Sequence, residues 1–181
     1  MKKILYLCMF FAVSTVVAQK YYTKTGKTYF KASVEAFEPV EATSESTTAV
    51  INMGTGEVAA LLFIKSFHFR IALMEEHFNE NYMDSDKYPK AKFKGKLEGF
   101  NMADISETPK EYKLSGTLQM REMEKAISTT AKLSKSGDNI ILESFFTVKP
   151  QDFGIKIPSI VREKIAKEIN ITLNYELIEK K

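Results

Sequence analysis

The sequence has 181 residues, with 26 Lys or Arg against 23 Asp or Glu and a formal net charge of +3. A chain of this length is enough for one domain with a single apolar core. Because the charge is nearly balanced, with no arginine-rich run and no basic patch between aromatic residues, we expect no nucleic-acid partner, and there is no strong electrostatic argument for an anionic membrane.

Residues 1–18 are the first predicted element, a secretory signal peptide. Lys2 and Lys3 precede the short apolar run ILYLCMFFAVSTVV, and Val16 and Ala18 occupy the small-residue positions before a cut that follows Ala18. The run is too short to span a bilayer comfortably, so cleavage is favoured over an uncleaved anchor. The sequence therefore predicts an exported, periplasmic protein.

Removing 18 of the 181 residues, Lys2 and Lys3 among them, leaves 163 residues with 24 basic and 23 acidic side chains. Cys8, the only cysteine, lies within the predicted signal peptide and too early in it for a lipoprotein signal. Residues 19–181 therefore form a single predicted domain whose stability comes from its core and not from disulfides. No later segment approaches the roughly 20 apolar residues of a membrane helix, so no integral membrane segment is expected after cleavage.

About eight segments of the predicted domain alternate apolar and polar residues with a period of two, as half-buried strands do. Glycine-containing turns separate several of them at hairpin-length gaps. The segments are KTYFKASV (27–34), ATSESTTAVI (42–51), EVAALLFI (57–64), AKFKGKLEG (91–99), EYKLSGTLQM (111–120), AISTTAKL (126–133), NIILESFFTV (139–148) and EINITLNYEL (168–177).

Two segments break the alternation and are predicted to be helical. Between residues 71 and 83, Ile71, Met74, Phe78 and Tyr82 recur every three or four residues, which is helical spacing. Near residues 159–166, a serine that follows a proline is typical of a helix start, so a second short helix is expected there.

Antiparallel strands that each have one apolar face must close or stack to bury it, and a barrel also removes exposed strand edges. We therefore predict an all-β fold, an extended antiparallel barrel of about eight strands. Gly95 and Gly116 fall on the inward face. They either leave room for a cavity or relieve strand coiling at a bulge, and the sequence does not decide between the two.

Residues for catalysis or metal binding are scarce. His68 and His77, the only histidines, lie nine residues apart in different predicted elements, which is not the spacing of a zinc-binding pair. Asp84 and Asp86 stand beside a predicted turn, where carboxylates more often cap or solvate the chain than bind a cation. The sequence also has no nucleophile elbow, glycine-rich phosphate loop or EF-hand pattern. We predict no catalytic residue, no metal and no cofactor.

Two blocks of the sequence resemble the YceI-like family. The matching residues, in order, are His77-Phe78, Ser85-Asp86, Tyr88-Pro89, Asp152, Gly154-Ile155 and Ile157-Pro158. The likeness covers essentially all of residues 19–181. One departure lies in the middle of the chain, where family members commonly carry a glycine-containing turn of the kind GVTK and this sequence has MREMEKAI. This change is expected to alter the mouth of the barrel.

The resemblance implies a lipocalin-like barrel that carries a helix-containing insertion and encloses a long apolar pocket. Family members are described as binding polyisoprenoids and related amphiphiles. An isoprenoid or fatty-acyl chain can be held in such a pocket by burial alone, at about 25 cal/mol per Å² of apolar surface, without any reaction. The candidate wall residues are Phe63, Phe67, Phe69, Met74, His77, Phe78, Tyr82, Phe93, Leu118, Met120 and Phe145.

The leading hypothesis is thus a non-enzymatic carrier of an apolar amphiphile in the periplasm. The alternative is a structural or interaction protein of the cell envelope, with a barrel filled by its own side chains and a functional outer surface. An enzyme that uses His77 with Asp84 or Asp86 is the least favoured hypothesis, because these side chains do not converge on a helix. The sequence leaves the lipid and the oligomeric state open, a homodimer included.

Overall fold

A computed structural model describes residues 19–34 and 36–180. The predicted signal peptide, residues 1–18 with Cys8, lies outside this described part of the chain. Among the described residues, no helix has the length and apolar character needed to cross a membrane. The described chain is an antiparallel β-barrel with one short helical insertion, which confirms the predicted all-β fold class.

The structure contains nine strands and one α-helix among the described residues, with several single turns of 3-10 or π-helix between them. The strands are β1 (Lys20–Ser33), β2 (Glu41–Asn52), β3 (Glu57–Phe63), β4 (His68–Phe69), β5 (Lys90–Leu97), β6 (Lys110–Met120), β7 (Met123–Ser136), β8 (Asn139–Val148) and β9 (Ile165–Glu179), and the helix is α1 (Ala72–His77).

Eight of the strands close into a ring in the order β1-β9-β8-β7-β6-β5-β3-β2, with β2 returning to pair with β1. All these pairs are antiparallel, and the short β4 pairs with the start of β2 at Ala42 and Thr43. Closure removes the exposed edges that an open sheet of this size would present. The eight closing strands coincide with the eight alternating segments of the sequence, because alternation is what a barrel with one buried face requires.

The interior has two parts, which follow each other along the barrel axis. At the end of the barrel where β1 begins and β9 ends, a solid core includes Leu114, Leu142 and Leu177, all nearly inaccessible to solvent. A second cluster fills the walls of the opposite half and includes Phe30 and Phe153. The barrel therefore has a packed base and a separate apolar upper half, into which the connections at the far end fold.

The predicted helical stretch from 71 to 83 is confirmed. It forms α1, which continues directly into a π-helical turn at Phe78–Tyr82. Met74, Phe78 and Tyr82 of the predicted stripe face the barrel interior, so the insertion covers one side of the open end.

The prediction of a helix near residues 159–166 is wrong. Only a 3-10 turn forms, at Ser159–Val161, and Ser159 makes no capping hydrogen bond. The reason is strand pairing. Ile165 already pairs with Ser33 of β1, and the Val34 amide donates to the Lys164 carbonyl at 3.3 Å. A short isolated helix has little stability of its own, so strand pairing prevails from Ile165 onward.

Candidate functional site

The upper half of the barrel encloses an apolar cavity of about 370 Å³. This volume falls within the roughly 300–1,000 Å³ of ordinary small-molecule sites. Most of the side chains that line it are aliphatic or aromatic, and they come from every strand of the ring together with α1 and the β8–β9 connection. The barrel is therefore not filled by its own side chains, and the packed-barrel alternative describes only its base.

Four phenylalanine rings form one wall of the cavity, and we call Phe30, Phe67, Phe69 and Phe78 the aromatic wall. The Phe30 and Phe67 rings meet edge to face with centroids 5.0 Å apart, and Phe69 and Phe78 lie 5.1 Å apart. These separations are typical of favourable aromatic pairs. Because Phe78 belongs to the helical insertion and Phe30 to β1, the wall joins the insertion to the barrel.

The floor of the cavity carries a small polar network. The hydroxyl oxygen of Thr28 lies 2.8 Å from that of Thr47 and 2.9 Å from that of Tyr175, and all three residues are buried and line the cavity. Burial raises the pKa of the Tyr175 phenol, while its hydroxyl neighbours act in the opposite direction. Since each hydroxyl has a partner, the network closes the base of the cavity without an unpaired polar group.

The two inward glycines do not create the cavity. Gly95 and Gly116 face each other across β5 and β6, and the Phe93 ring covers both. A Cβ atom at either position would approach the Phe93 Cζ to 2.6 Å. The glycines make room for this ring, which itself lines the cavity. The space therefore comes from the upper part of the barrel and not from missing side chains on β5 and β6.

Nine of the eleven candidate wall residues line the cavity. They are Phe67, Phe69, Met74, His77, Phe78, Tyr82, Phe93, Leu118 and Met120.

The other two candidates, Phe63 and Phe145, are wrong as wall residues. Phe63 is 48% exposed and its ring lies 5.2 Å from the Lys90 ammonium, while Phe145 is 56% exposed on the outside of β8. Each stands beside an inward apolar neighbour, Ile64 and Phe146 respectively. Successive residues of an extended chain point to opposite sides, so only one of each pair can face the interior.

Sequence reasoning missed several wall residues, of which the aromatic ones are Phe30, Phe146, Phe153 and Tyr175. The alternation in β8 was the available signal, because Ile140, Leu142 and Phe146 share one parity. Phe153 had no such signal, since it lies in a 3-10 turn between strands and is only 1% exposed.

The polar residues of the helical insertion do not converge. His77 lines the cavity and is also exposed, whereas His68 points to solvent with its Nδ1 atom 3.7 Å from a Glu75 carboxylate oxygen. The Asp86 carboxylate binds Lys65 at 2.6 Å, and the Asp84 carbonyl accepts two turn hydrogen bonds. In the described part of the chain, no three His, Cys, Asp or Glu side chains are grouped as they would be to hold a metal ion.

The β6–β7 hairpin, where the sequence departs from the pattern of the family that it resembles, has a defined role at this end of the barrel. Arg121 and Glu122 form the β6–β7 turn with φ angles of 51° and 62°, a conformation that glycine adopts more readily. The Arg121 guanidinium donates a hydrogen bond to the Tyr82 carbonyl and lies 5.2 Å above the Tyr88 ring. The turn thus ties the last residue of the helical insertion to the barrel.

Comparison with known proteins agrees with this geometry. A family model described as the YceI-like domain matches residues 12–177. No curated protein matches the sequence. Among solved structures, a polyisoprenoid binding domain from Saccharophagus degradans, implicated in plant cell wall breakdown, is similar at 13% identity with a TM-score of 0.76, covering 90% of this chain and 99% of that one.

Two further structures have the same fold. BcnA of Burkholderia cenocepacia is 14% identical, with a TM-score of 0.68 over 83% of this chain and 95% of its own. The Campylobacter jejuni YCEI protein is 19% identical, with a TM-score of 0.63 over 80% of this chain and 87% of its own. At these identities the likeness establishes a shared fold.

Proposed function

The chain belongs to the YceI-like domain family, and from this membership and its apolar cavity we propose that it binds an apolar amphiphile of the polyisoprenoid or fatty-acyl type inside the barrel and carries it without chemical change. The cavity is the observation that carries the proposal. Its aromatic wall and aliphatic sides favour a long apolar chain, because each Å² of such surface removed from water contributes about 25 cal/mol. The likeness to a polyisoprenoid binding domain supports the same ligand class.

The lining chemistry also supports a flexible ligand. Met74 and Met120 lie on the wall, and the unbranched thioether side chain of methionine adapts to irregular shapes. The hydroxyl network of Thr28, Thr47 and Tyr175 closes the inner end, whereas His77 stands at the solvent-exposed rim. An amphiphile would place its chain between these ends and its polar group near His77.

The proposed setting is the periplasm, after removal of residues 1–18. This part of the proposal rests on the signal-like sequence alone, namely the basic start, the apolar run and the small residue Ala18. Expression of the full chain in a bacterium, followed by fractionation and mass measurement, tests it. A periplasmic product that begins at Gln19 is the expected result, and a cytoplasmic product of full length would contradict it.

Native mass spectrometry of the exported protein tests the binding function. We expect a bound mass that organic solvent extracts and that is identified as an isoprenoid or acyl compound. A ligand-free mass, together with no uptake of a fluorescent prenyl or acyl probe by the purified protein, would overturn the carrier function.

A further inference from the structure

Three residues both line the cavity and are exposed, namely His77, Lys92 and Lys164. Lys92 lies within β5 beside the inward Phe93 and therefore points outward, so the other two mark the mouth of the cavity. His77 ends α1, and Lys164 lies in the connection between β8 and β9. The β1–β2 connection borders the same opening, because the Val34 amide donates to the Lys164 carbonyl at 3.3 Å. Three chain segments therefore surround the mouth: the β1–β2 connection, α1 and the β8–β9 connection.

Each of these segments exposes at least one large apolar side chain. We call Val34, Phe37, Leu73 and Ile160 the apolar rim. Ile160 is 87% exposed, which makes it the most exposed large apolar residue in the described part of the chain. Its neighbours Ile157 and Val161 line the cavity, so the 3-10 turn that contains Ile160 has an inner and an outer apolar side.

Basic residues flank the tip at Ile160. The segment that runs from Lys156 to Lys164 contains three cations, the third being Arg162, against the single carboxylate of Glu163. No carboxylate within residues 19–34 or 36–180 lies within 4 Å of the Lys156 or Arg162 side-chain nitrogens. The nearly neutral total charge of the chain therefore conceals a cationic cluster that is confined to this tip, because the other two segments around the mouth carry the carboxylates of Glu38, Glu75 and Glu76.

We propose that the tip at Ile160, at the mouth end of the barrel, docks on the surface of an anionic lipid bilayer. An apolar side chain that enters the interface, flanked by cations that meet lipid phosphates, is the combination by which peripheral proteins bind such membranes. Docking in this orientation faces the mouth of the cavity towards the bilayer, so an amphiphile passes between lipid and barrel without crossing water. The docking surface goes beyond the proposed function, because it exists whether or not the cavity carries a lipid.

Co-sedimentation with vesicles tests the proposal, using the chain from Gln19 onward so that residues 1–18 do not contribute. This part contains all nine strands of the described barrel. The vesicles are phosphatidylcholine alone, or phosphatidylcholine and phosphatidylglycerol in equal parts. The protein is expected to bind the anionic vesicles, and added salt is expected to weaken the binding.

Three variants separate the apolar and ionic contributions. Ile160→Asp is expected to lower the partition coefficient about tenfold or more, because the side chain no longer gains from burial in the interface. Lys156→Gln combined with Arg162→Gln should also lower it about tenfold or more on anionic vesicles, since each cation contributes separately. Phe145→Asp, which changes an apolar residue that is 56% exposed on the outside of β8, should leave it unchanged. Thermal unfolding verifies that each variant is folded.

Three results would overturn the proposal. The first is wild-type protein that binds neither kind of vesicle at low salt. The second is an Ile160→Asp variant that binds anionic vesicles as well as the wild type does. The third is a dimer in analytical ultracentrifugation that Ile160→Asp dissociates, without vesicle binding, which would assign the apolar rim to a second copy of the chain. Vesicle binding and the bound mass of the exported protein are measured separately, so failure of the docking surface leaves the result of the native mass measurement untouched.

Discussion

The Phe30 and Phe78 rings stack with their centroids 5.3 Å apart and their planes inclined by 30°. This pair joins the first strand of the barrel to the π-helical turn of the insertion. The insertion is thereby part of the cavity wall and not an appendage on the outside. We call Phe78 the apolar anchor of the insertion. The polar residues of the insertion, which in the sequence could suggest catalysis, lie around it.

Truncation of the anchor should destabilise the fold. Phe78→Ala removes contacts with three rings of the aromatic wall and leaves a void, so we expect a loss of about 2–4 kcal/mol in the free energy of unfolding. Urea denaturation measures it. Phe145→Ala is the matched control, because its exposed ring should change stability by no more than about 0.5 kcal/mol. Equal unfolding midpoints for the two variants would show that the insertion is not anchored as described.

Variants of the β6–β7 turn compare the cost of its backbone strain with the stability that the Arg121 side-chain contacts contribute. Glu122→Gly should stabilise the protein by about 1 kcal/mol, since glycine adopts the φ of 62° without the steric cost that other residues meet. Arg121→Gly relieves the same kind of strain but also removes the bond to the Tyr82 carbonyl and the stacking on Tyr88. It should therefore be less stable than Glu122→Gly in thermal unfolding, and a reversed order would refute the role given to Arg121.

The fit of the Phe93 ring over the two glycines should not tolerate a methyl group. Gly116→Ala places a Cβ 2.6 Å from the Phe93 Cζ and also against the Lys94 carbonyl, which is backbone and cannot move aside. We expect a loss of about 1–3 kcal/mol in unfolding free energy. Thr117→Ala, on the outward face of the same strand, should cost much less. A wild-type midpoint for Gly116→Ala would contradict the close approach of β5 and β6.

The phenol of Tyr29 should lose its proton only at unusually high pH. Burial first, and then the 2.6 Å hydrogen bond that its hydroxyl donates to Glu41, raise the pKa of Tyr29 to about 12. The unfolded chain loses this proton near pH 10, so between about pH 10 and 12 the folded state holds it more tightly and stability falls as the pH rises. A phenolate absorbance titration should lose a late step in Tyr29→Phe. Glu41→Gln should lower the Tyr29 pKa only partly, because burial remains.

The closed barrel was predictable because alternation is a local property of each strand. Tyr112, Leu114, Leu118 and Met120 share a face in the sequence and share the interior in the structure. The helical stripe of residues 71–83 was readable for the same reason, as three of its members needed only their spacing to be placed on one side.

The errors arose where the outcome depends on pairing between distant segments. Phe145 and Phe146 are adjacent and equally apolar, so the register of β8 against β7 and β9 decides which of them is inside. Residues near 159–166 were assigned to a helix because local capping chemistry was visible, whereas the pairing of Ile165 with Ser33 was not. The cavity could not be derived either, since an unfilled volume depends on how side chains from all strands meet.

The central claim, that the cavity takes up an apolar chain, is tested most directly by adjacent alanines on β3. Ala60 lines the cavity and Ala59 does not, so Ala60→Phe fills the site while Ala59→Phe adds the same ring outside it. Fluorescence titration with a prenyl or acyl probe gives the affinities, and thermal unfolding confirms that both variants fold. We expect Ala60→Phe to weaken probe binding about tenfold or more and Ala59→Phe to bind as the wild type does. Equal affinities of the two variants would contradict binding inside the barrel.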